Sequence, residues 1–335
     1  MRGRATGRLV AAVLTAGVLS GCAAPAPAPT SPAGAGAYAH LAELQRITDA
    51  AGGTRSTPSP GYDAAVDHVA AVLRAAGWDV ATPTYRVKGE PGSGYRNVVA
   101  QTRTGDPAHV VMAGAHLDSV PEGPGVNDNG SGVASLLQIA EQMGGSPGFP
   151  AMVRLAFWGS EEDDLDGSTG YVDGLDRAGR AAIALYVNLD MVASPNAGYF
   201  VQGGTGRRDE AGPDGSATVA QVLTDQLAQV GAVADRDRFD GESDYAAFVT
   251  AGIPSAGVLA GDDEDKTDAQ AQAWGGRAGK EFDPCYHAAC DRLDDLDRTA
   301  LGRFTDAVDA TLRHFAASTA QLTGSGREPT VDTDS

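Results

Sequence analysis

The sequence predicts an α/β protein: a single three-layer α/β/α domain with a mixed, mainly parallel central sheet. Apolar runs of strand length alternate with segments of helical periodicity, which is the pattern of a sheet covered by helices on both faces. The chain has 335 residues, 42% of them hydrophobic, and can therefore bury one large core. Polar residues suited to chemistry follow several apolar runs, where an open α/β sheet places its functional crevice.

The predicted elements follow the chain in order. Helical periodicity predicts helices over residues 37–51, 61–76, 130–143, 217–230 and 298–318. Apolar runs predict strands near residue 85 and over residues 97–102, 109–115, 152–158, 183–189 and 253–259. The helix at residue 130 follows a turn-rich segment, PGVNDNGSG. The last helix precedes GSGREPTVDTDS, and we predict a disordered tail over residues 324–335.

The N-terminus has the pattern of a targeting segment. Arginines at positions 2, 4 and 8 precede an apolar run over residues 9–19, which is too short to span a bilayer. The run ends in LSGC, which looks like a bacterial lipobox and implies cleavage before Cys22 and lipid attachment to it. We therefore predict a lipoprotein signal peptide over residues 1–21 and a protein anchored on the outer face of the bacterial cell membrane, or released. Ordinary secretion with nearby cleavage is the alternative.

An Ala/Pro-rich stretch follows Cys22 and cannot form a core, so we predict a semi-extended tether over residues 22–37. The folded catalytic domain is then expected over residues 38–323. The formal net charge of −19 argues against a nucleic-acid partner, which requires a basic surface. The same charge favours cationic over anionic peptides, although general solubility explains it equally well.

Five segments carry imidazole and carboxylate donors of the kind that zinc prefers. The candidate ligands are His116 in GAHLDS, Asp128 in VNDNGSG, Glu162 in GSEE, Asp190 in VNLDM and His287 in CYH. If Asp128 bridges two zinc ions, one ion receives His116 and Asp190 and the other receives Glu162 and His287. Each ion then keeps an open position for water, as in catalytic zinc sites. Asp128 could instead cap the helix that follows it.

Two further acids are expected beside these ligands. Asp118 lies two residues after His116, shares its face in an extended chain, and could accept the imidazole N–H. Glu161 precedes Glu162, and both reach one site only if the chain turns, which Gly159 would permit. Glu161 would then serve as general base. A surface His–Asp pair and a solvated acidic pair are the plainer interpretations.

The two remaining cysteines, Cys285 and Cys290, are expected to form a disulfide in an exported protein. Closing so short a loop contributes only about 2 kcal/mol, so its value would be geometric, holding Tyr286 and His287 in place. Thiolate ligation of zinc by CYHAAC is the alternative, but the sequence has no second cysteine pair to complete a structural site.

Over residues 38–321 the sequence resembles the secreted bacterial di-zinc aminopeptidases of the aminopeptidase S and bacterial leucyl aminopeptidase type. The motifs that carry the resemblance are GAHLDSVPEGPGVNDNGSG, FWGSEE, VNLDMV, SDY, WGG and FDPCYHAACD. The resemblance implies a zinc-exopeptidase fold, two Zn²⁺ ions, and release of N-terminal residues from peptides with a free N-terminus. It also implies that Glu161 is the general base and that Tyr286 donates a hydrogen bond to the tetrahedral oxyanion.

The resemblance also suggests pocket residues. Met191 follows the ligand Asp190 and is a plausible pocket wall. Relatives often carry Arg before SDY and an aromatic residue at the position of Leu259, whereas this chain has Glu242 and a leucine. An inward-pointing Glu242 would shift preference towards basic N-termini, and the leucine would give a roomier pocket.

The resulting prediction is a zinc-dependent aminopeptidase that acts as a monomer. Carboxypeptidase, dipeptidase or glutaminyl-cyclase-like chemistry on the same fold is the first alternative, and a non-catalytic zinc- or peptide-binding lipoprotein is the second. Calcium activation occurs in some relatives, but the acidic stretches at residues 262–268 and 291–297 do not form a recognisable calcium loop, so calcium stays open.

Overall fold

The computed structural model describes residues 31–88, 94–207 and 210–323. The predicted signal peptide, Cys22, most of the predicted tether and the predicted tail lie outside the described residues. The helices are α1 Pro32–Ala50, α2 Pro60–Ala75, α3 Gly130–Met143, α4 Asp166–Gly174, α5 Arg177–Ala182, α6 Ser216–Gln229, α7 Tyr245–Thr250, α8 Asp268–Trp274, α9 Arg298–Ala317 and α10 Ala320–Thr323. The strands are β1 Asp79–Ala81, β2 Thr84–Tyr85, β3 Tyr95–Arg96, β4 Val98–Gln101, β5 Asp106–His116, β6 Ala151–Trp158, β7 Ile183–Asp190, β8 Phe200–Gln202, β9 Asp235–Asp237 and β10 Ser255–Leu259.

The described strands form an eight-stranded sheet in the order β1-β4-β6-β5-β7-β10-β8-β9, with β2 and β3 paired separately. The four central strands, β6, β5, β7 and β10, are mutually parallel. Strand β1 pairs antiparallel to β4, β4 to β6 and β8 to β10, while β9 pairs parallel to β8. The sheet is therefore mixed with a parallel centre, as the sequence predicts, and the carboxyl ends of the central strands meet along one edge.

Two hydrophobic cores lie on opposite faces of this sheet. Along β5, Val111 and Ala113 belong to one core and Val110 and Met112 to the other, which is the period-two alternation of a strand covered on both sides. Helices α1, α2, α3, α6 and α9 contact one another on the first face. Helices α4, α5 and α7 contact the second face. This arrangement confirms the predicted three-layer α/β/α fold.

The predicted boundary at residue 38 is wrong, because α1 begins at Pro32 and includes the last six residues of the predicted tether. Ser31 caps the helix by accepting a hydrogen bond from the Gly34 amide at 3.1 Å, and Pro32 fits the first turn, where no amide hydrogen is needed. Within the described residues, no helix is both long and apolar enough to cross a membrane.

Candidate active site

The central strands deliver candidate ligands to one edge of the sheet. His116 is the last residue of β5 and Asp190 the last residue of β7, while Glu161 and Glu162 lie in the turn after β6. Because β6, β5 and β7 are adjacent and parallel, these four side chains converge. Asp128 joins them from the loop before α3, and His287 joins them from the loop between α8 and α9. The structure brings all five predicted ligands together.

Asp128 lies between the two imidazoles. Its Oδ1 is 3.1 Å from Nε2 of His116, and its Oδ2 is 3.2 Å from Nε2 of His287. Asp190 Oδ1 is 3.3 Å from the His116 nitrogen, and Glu162 Oε2 is 3.1 Å from the His287 nitrogen. The cluster thus divides into two groups that share the Asp128 carboxylate, one oxygen to each.

Glu161 lies beside the first of these groups. Its Oε2 is 3.9 Å from the His116 Nε2, and its ligand atoms, with those of His116 and Asp190, fit within 4.8 Å of one another. Asp118 accepts hydrogen bonds from the main-chain amides of Glu161 and Glu162 at 3.2 and 3.3 Å. Its Oδ1 is 3.7 Å from Nδ1 of His116, too far for the predicted hydrogen bond. Asp118 therefore fixes the acidic turn, and its carboxylate also faces Nδ1 of His116 as an ion-pair partner.

The turn that brings both glutamates inward is centred on Ser160, not on Gly159. Ser160 has a φ of +53°, a left-handed conformation that is uncommon for a non-glycine residue. Its hydroxyl bonds to those of Thr57 at 2.7 Å and Tyr85 at 2.9 Å, which stabilises this conformation. Gly159 is required for space instead, since a Cβ there would lie 2.0 Å from the hydroxyl of Tyr62.

Buried acids and amides hold Asp128 in place. Asp291 accepts hydrogen bonds from the backbone amides of Asn127 at 2.6 Å and Asp128 at 3.0 Å. The cap of α3 is Asn129, whose side chain accepts from Gly132, so the alternative role of Asp128 as a helix cap is wrong. The Asp128 carboxylate is consequently left to face the imidazoles.

Arg55 anchors the loop that connects His116 to Asp128, a function that the sequence did not suggest. The side chain is fully buried and donates to the carbonyl oxygens of Leu117 at 2.8 Å, Gly125 at 2.8 Å and Pro124. A single arginine in a Ser/Thr/Pro loop carries no sequence signal for this role, because its carbonyl partners lie more than sixty residues away.

We expect Arg55→Met to lower the free energy of unfolding by ~3–5 kcal/mol, because the carbonyl oxygens of Leu117 and Pro124 lose their donor and that of Gly125 keeps only the Gly130 amide. Urea unfolding of the variant and of the parent protein measures this difference. Arg46→Met is the control: Arg46 is exposed and bonds only to Glu43, so its loss should change stability by less than about 0.5 kcal/mol. Equal effects of the two variants would contradict the anchoring role.

A chain of hydrogen bonds connects Asp190 to the second core. The Ser243 hydroxyl donates to Asp190 Oδ2 at 2.6 Å and accepts from the Asn188 amide at 2.8 Å. The other end of the Asn188 amide accepts from Tyr186, which in turn accepts from the Trp158 indole at 3.0 Å. Asn188 lies two residues before Asp190 on the same strand face, a spacing that could have suggested the link. The chain orients the Asp190 carboxylate.

The electrostatics of the cluster favour positive charge. Burial opposes charging of the His116 ring, but Glu161 and Asp190 outweigh it, so the pKa of His116 is raised well above its usual value. Hydrogen bonds to Asp128 and Glu162 raise the pKa of His287 to about 10. Burial, with Asp128 nearby, raises the pKa of Glu162 as well. The four carboxyl groups of the cluster thus outnumber its two imidazoles, even when both imidazoles carry a proton.

The donor set fits zinc. Oε1 of Glu162 and Oδ1 of Asp190 are buried atoms without hydrogen-bond partners among the described residues. Such orphaned atoms are costly unless something pairs with them, and imidazole nitrogens with carboxylate oxygens are zinc donors. In the part of the chain that the structure describes, the groups close enough to hold a metal ion are the two around His116. Neither acidic stretch considered for calcium contributes such a group.

Asp244, in the SDY segment, is a buried acid to which the sequence assigns no role. Burial raises its pKa to about 7, partly offset by His116 and a weak contact with Ser168. Neither of its oxygens makes a well-formed hydrogen bond among the described residues. A carboxyl whose pKa is about 3.9 when unfolded and about 7 when folded binds more protons in the folded state. Its contribution to stability therefore falls as the pH rises between these values.

We expect the metal-free protein to be less stable at pH 8 than at pH 5, and Asp244→Asn to raise its unfolding free energy at pH 8 by ~1–3 kcal/mol. Urea unfolding in excess chelator at both pH values measures the slope. Asp235→Asn, which removes an exposed carboxylate, is the control and should leave the slope unchanged. The raised pKa values of His116, His287 and Glu162 leave part of the slope in both proteins. A slope in Asp244→Asn equal to that of the parent protein would contradict the role of Asp244.

Cys285 and Cys290 form a disulfide that encloses the loop of Tyr286 and His287. His287 has a φ of +53°, a strained conformation that the closed loop helps to maintain. The Tyr286 ring stacks on the His287 ring with centroids 3.8 Å apart. Burial, followed by the nearby carboxylate of Asp128, raises the pKa of Tyr286, so its hydroxyl stays a hydrogen-bond donor at physiological pH.

A cavity of about 420 Å³ opens beside the cluster, and the predicted pocket residues Met191, Glu242 and Leu259 all line it. Tyr286 also lines it. Residues that the sequence analysis did not single out, Gln202 and Asp262 among them, complete the lining. A larger groove of about 1310 Å³ lies at the start of β7, away from this chemistry, and contains neither group of ligating side chains.

Solved structures share this fold. BSAP, a zinc aminopeptidase from Bacillus subtilis, matches with a TM-score of 0.66 at 16% identity over 84% of this chain and 95% of that one. A Zn-dependent exopeptidase from Parabacteroides distasonis matches with a TM-score of 0.61 at 20% identity over 83% and 97%. A glutaminyl cyclase from Porphyromonas gingivalis matches with 0.63 at 20% over 85% and 99%. The fold is thus that of the zinc exopeptidases.

Within that class, the chain belongs to peptidase family M28, which matches residues 97–312. It is 53% identical over 213 residues to the probable lipoprotein aminopeptidase LpqL of Mycobacterium tuberculosis, covering 62% of this chain and 43% of the relative. It is 41% identical over 296 residues to leupeptin-inactivating enzyme 1 of Streptomyces exfoliatus, covering 88% and 64%. The chain therefore spans less than two thirds of the length of these relatives.

Proposed function

We propose that the chain is a metallo-aminopeptidase that hydrolyses the N-terminal peptide bond of peptides. The observation that carries the proposal is the Asp128 carboxylate shared between His116 and His287, with Glu161 beside it. Membership of peptidase family M28 and the aminopeptidase names of several relatives support it. The glutaminyl cyclase shows that the fold alone is compatible with other chemistry, so the complete ligand set favours the peptidase.

The two groups that share Asp128 support a proposal of two zinc positions. His116, Asp128 and Asp190 would hold one ion, while Asp128, Glu162 and His287 would hold the other. Bound zinc supplies a Lewis acid that polarises the scissile carbonyl and lowers the pKa of water. The hydrogen bond from Ser243 and the amides that bind Asp118 and Asp291 keep the ligands aligned, as supporting groups do in metal sites.

Glu161 moves the proton in this proposal. Its carboxylate takes a proton from the attacking water and passes it to the leaving amine. Burial raises its pKa well above the usual value, which suits a group that must hold this proton until the amine departs. Tyr286 remains neutral and donates a hydrogen bond to the oxyanion, a contribution of about 3 kcal/mol in comparable sites.

We also propose that residues 1–21 direct export and that Cys22 carries a lipid. The resemblance of LSGC to a lipobox and the printed description of LpqL as a lipoprotein support this proposal. Metabolic labelling with a fatty-acid analogue tests it: the parent chain should incorporate the label and Cys22→Ala should not. Labelling of both, or of neither, would count against the anchor.

The test of the proposed function compares a leucyl peptide with a free amine and its N-acetylated form, using zinc-loaded protein with and without chelator. We expect release of leucine only from the free amine, and only without chelator. Cleavage of both peptides would argue for an endopeptidase or carboxypeptidase. An N-terminal glutamine peptide in the same assay detects cyclase chemistry. No turnover of any peptide by fully loaded protein would favour a binding protein.

A further inference from the structure

The cavity beside the cluster contains a buried amide with no hydrogen-bond partner in the described residues. Gln202 is only 6% exposed, lines the cavity, and makes no side-chain hydrogen bond to the rest of the described chain. It is the last residue of β8 and pairs with Gly257 of β10, where a Cβ would lie 2.4 Å from its Oε1. The glycine therefore leaves space for an amide that offers a free acceptor and donor to an occupant.

The same cavity carries uncompensated negative charge away from the metal ligands. Asp240, Glu242 and Asp262 all line it, and none forms an ion pair with a lysine or arginine of the described residues. The cavity lining contains no lysine or arginine. Asp262 is half-buried, and burial, with the carboxylates of Asp263 and Asp240 nearby, raises its pKa. A group of like charges of this kind attracts a cation into the cavity.

The remaining lining suits a long apolar stem. Met191 is 3% exposed, and Leu259 is half-buried at the end of β10, next to β7, which ends at the ligand Asp190. In the sheet, Leu259 pairs with Phe200, and Gln202 lies two pairs further from the metal edge, on the same face of β8 as Phe200. A side chain that starts at the cluster thus passes apolar walls before it meets polar groups, the order of groups along lysine and arginine.

We propose that this cavity binds the side chain of the substrate's N-terminal residue and selects lysine and arginine, with Gln202 and Asp262 accepting hydrogen bonds from the cationic head. The inference rests on the proposed aminopeptidase function and specifies its substrate class. Asp240 and Glu242, which are exposed at the rim, add long-range attraction for cationic peptides.

The experiment compares peptides that begin with lysine and with norleucine, which have the same methylene stem and the same α-ammonium group. Recognition of the α-ammonium cancels in the ratio of their kcat/KM values. We expect zinc-loaded protein to prefer lysine by about tenfold or more, the effect of one charge-assisted hydrogen bond. Peptides that begin with arginine should likewise be preferred over peptides that begin with citrulline, the uncharged isostere of arginine. A norleucine preference would overturn the proposal.

Variants locate the effect. Asp262→Asn and Gln202→Met should each reduce the lysine-to-norleucine ratio several-fold, whereas Asp263→Asn, an exposed neighbour outside the cavity, should leave it within about twofold. Binding of the same two peptides to Glu161→Gln protein, measured by calorimetry, should show the lysine preference without turnover. If neither Asp262→Asn nor Gln202→Met changes the lysine-to-norleucine ratio, the two side chains do not bind the cationic head.

Failure of the selectivity and failure of the proposed function give different results. If the chain is an aminopeptidase without basic preference, norleucine and leucine peptides are cleaved at least as well as lysine peptides. If it is not an aminopeptidase, none of the free-amine peptides loses its first residue. Raising the salt concentration should weaken only the lysine reaction, because screening affects the exposed acids at the rim.

Discussion

Replacing Glu161 with glutamine should reduce kcat by ~10²–10⁴-fold while zinc and peptide binding are retained. The amide has the size of the carboxylate but cannot take a proton from water. Glu161 lies 3.9 Å from His116 and, in the proposal, outside the two ligand groups that share Asp128, so its loss should leave both ligand sets intact. Turnover of a free-amine peptide, zinc content and peptide affinity by calorimetry are the three measurements.

Glu122→Gln is the matched control for this variant, because Glu122 is exposed and does not line the cavity. It should retain the activity of the parent protein. A Glu161→Gln protein with full zinc content and undiminished turnover would remove Glu161 from the mechanism. Loss of zinc with loss of turnover would instead make Glu161 a ligand, an outcome that its proximity to His116 and Asp190 makes worth measuring.

Asp128→Asn should weaken zinc binding at both positions at once. Each carboxylate oxygen faces a different imidazole, and the amide keeps only one oxygen, without negative charge. Supporting groups alone contribute about 10–100-fold to metal affinity, so a shared ligand should exceed that range. Zinc titration with a competing chelator measures the affinity, and circular dichroism establishes that the variant is folded.

Glu162→Gln provides the comparison, because Glu162 contacts His287 and not His116. This variant should lose affinity at one position and keep the other, giving one tightly bound zinc where Asp128→Asn gives none. Two tightly bound ions in Asp128→Asn would contradict the bridging geometry. One weak and one unchanged ion would show that Asp128 serves a single position.

The sheet and the positions of the candidate ligands at its strand ends can be predicted from the sequence because both depend on local pattern. Strands β5 and β7 are long apolar runs, and their ends at His116 and Asp190 can be identified without tertiary information. By contrast, β8 and β9 have three residues each and carry no periodicity, so they were not predicted. Gln202 lines the cavity because it pairs with Gly257 of β10, and the sequence around Gln202 gives no indication of that distant partner.

Other differences have equally specific causes. The start of α1 was misplaced because Ser31 and Pro32, a capping pair, are embedded in an Ala/Pro-rich stretch that is typical of linkers. The turn at Ser160 was assigned to Gly159 because glycine is the usual residue for positive φ, whereas hydroxyl contacts from distant segments stabilise the serine. The spacing of His116 and Asp118 predicts that the two side chains face each other, but it carries no signal for the amides of the acidic turn that Asp118 also binds.

The two halves of the cluster differ in how firmly the protein holds them. His116 has 2% side-chain exposure and ends a central strand, whereas His287 has 41% and lies on a short loop. An ion on the His287 side would therefore exchange with the medium faster than one on the His116 side. In the proposed two-zinc arrangement, the inner position would therefore retain its ion while the outer position equilibrates with the metals in the medium.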